Sequence, residues 1–188
     1  MRTIGGVALP GLALVVYDAD RGLIARAVLC EEAYVQEREL LVKLMEDMEP
    51  SELWIADRNF ATTMFLLQTH ANHCRFLVRR HAVNGKIRET GDWQFQVRGE
   101  TGDIDERPAV IEDDFGSSLP VRLVRVRLDT PKRDKDREIE LITDLPETLS
   151  ALAIAHAIAS SARRGGHRPV AVSVDSRRPK SSYSQNCL

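Results

Sequence analysis

Two continuous apolar runs come first in the chain, and a charged turn separates them. Residues 12–17 and residues 23–29 are rich in β-forming residues, whereas residues 18–22 contain two aspartates, an arginine and a glycine. Turn-forming residues between two such runs predict a β-hairpin. Asp18 and Asp20 could be considered as metal ligands because they follow a strand. Aspartate is a common turn residue, however, so we interpret both as part of the hairpin turn.

Helical and strand patterns alternate in the next part of the chain. Apolar residues recur at helical spacing over residues 34–48, and Pro50 follows them. Residues 53–56 are typical of a short buried strand, residues 61–72 have helical spacing, and residues 75–79 are typical of a further strand. A strand, a helix and a strand in this order predict a right-handed parallel β-α-β unit.

After residue 81 the pattern changes to short alternating apolar runs with glycines between them. Examples are residues 93–97, 121–128 and 138–142. An alternation with a period of two residues is typical of strands that bury one face. The sequence therefore predicts an antiparallel β insertion over residues 82–143.

Helical spacing returns near residue 149 and is lost after residue 160. Residues 161–188 contain five arginines and one lysine against a single acid, with many serines and few large apolar residues. Such a composition buries too little apolar surface to offset the conformational entropy lost on folding. We therefore predict a last core helix within residues 144–160 and a disordered basic tail over residues 161–188.

Composition narrows the class of protein. A chain of 188 residues suits one α/β domain with its own core, and the formal net charge of −2 provides no overall basic field. The three cysteines are far apart in sequence and odd in number, which fits a reducing cytoplasm better than a disulfide framework. Residues 4–17 are too short and too broken by glycine and proline to span a membrane. We expect a cytoplasmic protein that does not associate with membranes.

Four segments, taken in order, resemble the DDE transposases of the insertion-sequence-four type. They are residues 8–18, residues 53–60, residues 76–81 and residues 142–147. The second contains the sequence Asp-Arg-Asn-Phe directly after a strand, which is the most specific of the four. The similarity extends from about residue 8 to about residue 156 and keeps the order of the motifs. It implies a ribonuclease H-like fold with a β insertion before the last catalytic helix.

The resemblance also implies metal-dependent chemistry on DNA. In this family three carboxylates hold two magnesium ions, which activate water and then a DNA 3′ hydroxyl for attack on phosphodiesters at terminal inverted repeats. Asp57 matches the second of the three carboxylates, so it is the expected catalytic residue and Mg²⁺ ligand. The structural alternative is that Asp57 caps the helix that follows it.

The other two carboxylates of the family are not found at the matching positions. The first aspartate lies upstream of the proline-glycine motif, and residues 2–7 contain no acid. The family glutamate should follow residues 154–156, but residues 157–161 contain no glutamate, tyrosine or tryptophan. We therefore expect a central catalytic-domain fragment that is truncated N-terminally, frameshifted near His156 and inactive alone.

The expected truncation has a structural consequence. Residues 1–81 would form a ribonuclease H-like core that lacks its first strand, which in the family is central and lies between the second and fourth strands. Its loss would leave backbone donors and acceptors unpaired inside a buried sheet. We expect an incomplete fold that is marginally stable or prone to aggregation.

Short basic segments are the candidate DNA contacts. Arg58 follows Asp57, Arg79 ends the next strand, and Arg80 and His81 follow it, so these four side chains could bind DNA phosphates. Solvated surface charge is the alternative for each of them. Two functions stay open: a transposase-derived protein that binds DNA at terminal inverted repeats, and a non-catalytic DNA-binding or transposase-inhibiting fragment with intact transposase as its partner.

Overall fold

Within the described residues, ten strands form one mixed β-sheet, and the fold is of the α/β class. The computed structural model describes residues 12–18, 21–30, 37–80, 86–130, 136–164 and 171–175. The strands are β1 (Leu12–Asp18), β2 (Leu23–Cys30), β3 (Leu53–Ala56), β4 (Arg75–Arg79), β5 (Ile87–Glu89), β6 (Gln94–Arg98), β7 (Gly102–Glu112), β8 (Ser118–Leu128), β9 (Glu138–Thr143) and β10 (Ala171–Asp175). The helices are α1 (Glu37–Met45), α2 (Thr63–Ala71) and α3 (Ala151–Arg164), and a 3₁₀ turn (Arg58–Phe60) precedes α2.

The order of the strands differs from their order in the sequence. Across the sheet they run β2-β1-β10-β3-β4-β9-β8-β7-β5, and β6 pairs with β7 beside this path. Strands β3 and β4 are parallel, so the predicted β-α-β unit is confirmed. Strands β1 and β2 are antiparallel, so the predicted hairpin is confirmed as well.

Helices cover both faces of the sheet, as the residues of strand β3 show. Trp54 and Ala56 belong to the apolar core beneath α1 and α2, whereas Ile55 between them belongs to the core beneath α3. Successive residues of a strand point to opposite faces. A continuous apolar run is therefore buried on both sides, as is usual for the parallel part of a sheet.

The hairpin turn is held by Asp18. Its Oδ1 accepts a hydrogen bond from the backbone N–H of Arg21 at 3.0 Å, and its backbone oxygen accepts one from Gly22 at 2.9 Å. Gly22 has a φ of +70°, a conformation that glycine adopts without strain. The interpretation of Asp18 as a turn residue is confirmed, and Asp20 lies outside the described residues.

The glycine-punctuated part of the chain is antiparallel throughout its described residues, as predicted. Strands β7 and β8 form the longest hairpin, which runs from the Gly102↔Leu128 pair to the Glu112↔Ser118 pair. Strand β9 pairs with β8 on one side and with β4 on the other. The β-rich segment is therefore a continuation of the same sheet and not a separate layer.

The C-terminal part differs from the expectation of a disordered tail. Helix α3 continues to Arg164, and Ala171–Asp175 form β10 between β1 and β3; the rest of residues 161–188 lies outside the described residues. Val172 is in register with Val16, and Val174 with Trp54. This short alternating run is hidden when composition is averaged over the whole basic tail.

Strand β10 also changes the expectation of an unpaired gap in the sheet. It runs parallel to β1 and antiparallel to β3, and it forms hydrogen bonds with both. The prediction that the inner edges of these two strands would lack backbone partners is therefore wrong. The last described strand of the chain supplies those partners.

Candidate functional site

Asp57 lies directly after β3, at its carboxyl end. Its backbone is extended, with φ −77° and ψ 169°, and its backbone oxygen accepts a hydrogen bond from Phe60 N–H at 3.0 Å. The side chain is exposed and makes no capping hydrogen bond to the 3₁₀ turn. Asp57 thus occupies the N-cap position of the 3₁₀ turn without a side-chain cap, and Thr62 caps helix α2 instead. The Asp57 carboxylate faces solvent at this edge of the sheet.

Three of the four predicted DNA contacts line one open cleft near Asp57. Strands β3 and β4 are parallel, so their carboxyl ends lie at the same edge of the sheet, which brings Arg58 together with Arg79 and Arg80. The cleft has a volume of about 460 Å³. Asp57 itself does not line it, and His81 lies outside the described residues.

Five further residues line the same cleft, and sequence reasoning did not identify them. They are Glu89, Arg107, Asp136, Glu138 and Glu140. They come from β5, β7, β9 and the segment before β9, which are distant in sequence and meet only through strand register. A period-two pattern predicts strands but not which strands pair, so the sequence carried no signal for this grouping.

Ion pairs connect the arginines of the cleft to its carboxylates. Arg80 Nη1 lies 3.0 Å from Glu89 Oε1 and 3.0 Å from Glu140 Oε2. Arg107 contacts Glu89 Oε1 as well, and Arg79 Nη2 lies 2.7 Å from Asp136 Oδ2. The four arginines and four carboxylates that line the cleft cancel in formal charge. The site therefore provides directed donors without a net positive field.

Charged contacts continue from the cleft along β7 and β8. Asp105 is buried and lies 3.0 Å from Arg125 and 2.8 Å from Arg127. The guanidinium carbons of Arg107 and Arg125 lie 4.4 Å and 4.2 Å from the centroid of the Trp93 ring. These contacts fix the direction of the arginine side chains before any ligand arrives.

The described residues do not fit a two-magnesium site. They contain no group of three or more histidine, cysteine, aspartate or glutamate side chains that could hold a metal ion. Asp18 does not replace a missing ligand. It pairs with Val174, which in turn pairs with Trp54, so Asp18 lies level with the first half of β3. Asp57, the predicted Mg²⁺ ligand, follows the other end of that strand.

The motif at residues 142–147 has a structural role. Asp144 is buried and accepts hydrogen bonds from Phe76 N–H at 2.9 Å and Arg75 Nη1 at 3.4 Å, and its other contact is His70 Nδ1 at 2.8 Å. Thr143 Oγ1 donates to the Phe76 backbone oxygen at 2.6 Å. Asp144 thus fixes the start of β4 to the end of α2, away from the cleft.

Cys74 has a structural role as well. The thiol is buried and donates to the backbone oxygen of Glu49 at 3.0 Å. Burial raises the pKa of this thiol to about 11 from an ordinary value of 9.0. It therefore stays protonated at neutral pH and is neither a nucleophile nor a metal ligand there.

Comparison with protein families and with curated proteins identifies no relative of this chain. No protein-family model matches this chain, and no curated protein is significantly similar to it. Within the part of the chain that the structure describes, no helix is long and apolar enough to cross a membrane. A function for this chain therefore depends on its motifs and on the geometry of the cleft.

Proposed function

We propose that this chain is a transposase-derived protein of the DDE type that binds DNA and does not cut it by itself. The observation that carries the proposal is the convergence of Arg58, Arg79 and Arg80 on one cleft beside the exposed Asp57. In the resemblance, Asp57 is a catalytic carboxylate, so a DNA backbone would pass this edge of the sheet. Arginines at that edge are suited to hold phosphates.

The strand order supports the proposed ribonuclease H-like origin. In that fold the first strand is central, between the second and fourth strands. The hairpin strand β1 and the strand β3 that precedes Asp57 would correspond to these two, and they are separated by one strand, β10. An antiparallel β segment also lies between β4 and the last helix α3, as the family requires.

Among the described residues, Asp57 belongs to no carboxylate cluster, which argues against catalysis by this chain alone. Two-metal chemistry needs carboxylates that hold both ions, and the residues of such a site act as a unit. Asp57 is a single exposed carboxylate, and no metal-binding group forms among the residues that the structure describes. Binding needs only the phosphate contacts, so it can persist without cleavage.

The expected binding mode is contact with phosphates and not with bases. Phosphate contacts position a protein on the duplex but carry no sequence information directly. We therefore expect similar affinity for an inverted-repeat duplex and for an unrelated duplex of equal length. The contacts release counterions, so affinity falls as salt rises.

A gel shift with three variants tests this function. Arg79→Gln and Arg80→Gln each remove one charge from the cleft. Arg88→Gln is the matched control, because Arg88 alternates with Glu89 along β5 and so lies on the opposite face of the sheet. We expect the first two variants to weaken the shift at low salt and the control to preserve it. An equal loss in all three variants, or no shift for the wild type, would overturn the proposal.

A further inference from the structure

We infer that the carboxylates of the cleft mask its arginines, so that DNA phosphates must displace acidic side chains before they bind. This inference rests on the proposed function and concerns the regulation of the same site. It predicts variants that bind DNA more tightly than the wild type, which the proposed function alone does not.

The acids lie on the solvent side of the arginines that they contact. The side chain of Glu89 is 38% exposed, whereas its partners Arg80 and Arg107 are 17% and 14% exposed. Arg79 is 25% exposed and its partner Asp136 is 36% exposed. A phosphate that approaches from solvent therefore meets carboxylate before guanidinium.

Several pairs elsewhere on the surface have the opposite order. Arg88 is 60% exposed and its partner Glu112 is 42% exposed, and Arg98 is likewise more exposed than Asp129. An ordinary surface arginine extends past its carboxylate into water. Arg122–Glu106 and Lys86–Asp114 share the order seen in the cleft. The cleft is distinguished by several such pairs that line one pocket.

Glu89 is the central residue of the mask. One of its oxygens, Oε1, contacts Arg80 and Arg107 together. Within the described residues, Arg107 Nε is buried without a hydrogen-bond acceptor, so this guanidinium retains a donor that its present neighbours do not use. The contact with Trp93 holds it in place. Removal of one negative charge at Glu89 therefore releases Arg107, which is already positioned, and leaves Arg80 with one acid instead of two.

Displacement of these acids by a phosphate is physically reasonable. Ion pairs that remain partly exposed are individually weak because water and salt screen them. Arginine pairs with phosphate through charge-assisted, often bidentate hydrogen bonds. A duplex offers several phosphates at once, so it can replace the carboxylates, but the replacement reduces the net affinity of the wild type.

Glu89→Gln tests the mask because it preserves the size of the side chain and removes its charge. Glu112→Gln is the matched control, since it makes the same charge change on the opposite face, where Glu112 contacts Arg88. The measurement is fluorescence anisotropy of a labelled random-sequence DNA duplex over a series of salt concentrations. Glu140→Gln, which releases Arg80 from its second acid, is an independent variant in case Glu89→Gln does not fold.

We expect Glu89→Gln to bind about tenfold more tightly at low salt and to have a log-log salt slope steeper by roughly one. In the variant no displaced carboxylate takes up a cation, so the cations released from the DNA are not offset. The control should stay within about twofold of the wild type, since its charge lies away from the bound backbone. The double variant Glu89→Gln/Arg107→Gln should lose most of the gain, which attributes the gain to the released arginine and not to net charge.

The outcomes separate this inference from the proposed function. If the wild type binds with a clear salt dependence and Glu89→Gln gains no more than Glu112→Gln, the mask is overturned and the proposed function stands. If Glu89→Gln binds and the wild type does not, the mask is supported and the proposal that the wild type itself binds DNA is overturned. If neither binds at low salt, both proposals are overturned.

Discussion

Val174 in β10 pairs with Trp54 in β3, so a residue near the end of the chain lies beside the buried tryptophan strand in the middle of the sheet. On its other side β10 pairs with β1. Two parts of the sheet that are far apart in sequence are therefore joined by one short strand. The stability of the whole sheet should depend on it.

A proline in β10 tests this dependence. Ser173 pairs with Ile55 on one side and with Tyr17 on the other. Ser173→Pro removes its backbone N–H, and a buried acceptor left without a partner costs about 1–3 kcal/mol. We expect a fall of that size in the free energy of unfolding, measured with urea. Ser173→Ala retains the N–H and should change stability much less; equal stability of the two variants would show that β10 is not part of the sheet.

Asp144 should be a second determinant of stability. Asp144→Ala leaves Phe76 N–H without its acceptor and removes the contacts with Arg75 and His70. Arg75 and His70 are both nearly half exposed and recover water, so we expect a loss of about 2 kcal/mol. DNA affinity measured on the folded variant should not change, because this cluster lies at the opposite end of β4 from the cleft. A variant that unfolds like the wild type would contradict the structural role of the motif.

The Cys74 thiol predicts a loss of stability at high pH. Its pKa in the folded chain is raised to about 11 from 9.0, so the folded state holds the proton more strongly than the unfolded state. This contribution is fully present below pH 9 and is lost as pH rises from 9 towards 11.

Two measurements check the Cys74 prediction. Urea unfolding over this pH range should give a steeper decline for the wild type than for Cys74→Ala. Native Cys74 should also resist alkylation at pH 8, measured by mass spectrometry of its peptide. Rapid alkylation of the folded chain at pH 8 would contradict the prediction.

Addition of magnesium should not stabilise the chain. A single exposed carboxylate is a weak ligand for this ion, which is held in proteins by several oxygen ligands and water. We expect the same melting temperature with and without millimolar Mg²⁺, and no Mg²⁺-dependent cleavage of an inverted-repeat duplex. Asp57→Asn should melt like the wild type. A Mg²⁺-dependent rise in melting temperature that Asp57→Asn abolishes would show that the chain completes a metal site.

The sequence predicted local elements better than it predicted long-range neighbours. The hairpin over β1 and β2, the parallel pair β3 and β4, and the antiparallel strands that follow all have strong local patterns, and each is confirmed. Strand β10 was missed because five residues with weak alternation lie within a basic, serine-rich segment. A short strand of this kind is recognisable only from the two strands that it pairs with in the folded chain, here β1 and β3.

In the candidate site, too, the residues with a local signal were predicted and those placed by long-range pairing were not. Arg58, Arg79 and Arg80 were predicted because they lie at the carboxyl ends of two adjacent parallel strands, which meet at one edge of the sheet. Glu89 and Arg107 were not, because their position depends on the register of β5 and β7, with Glu89 opposite Ala109. Register is set by packing of the whole sheet and not by any local signal.

The most direct test of the DNA-binding proposal is the salt dependence of wild-type affinity for a labelled duplex, measured by fluorescence anisotropy. Three arginines that each bind one phosphate predict a linear fall of log affinity with log salt and a slope of roughly −3. The slope should be the same for inverted-repeat and unrelated duplexes. Absence of binding at low salt, or binding that does not change with salt, would contradict the account.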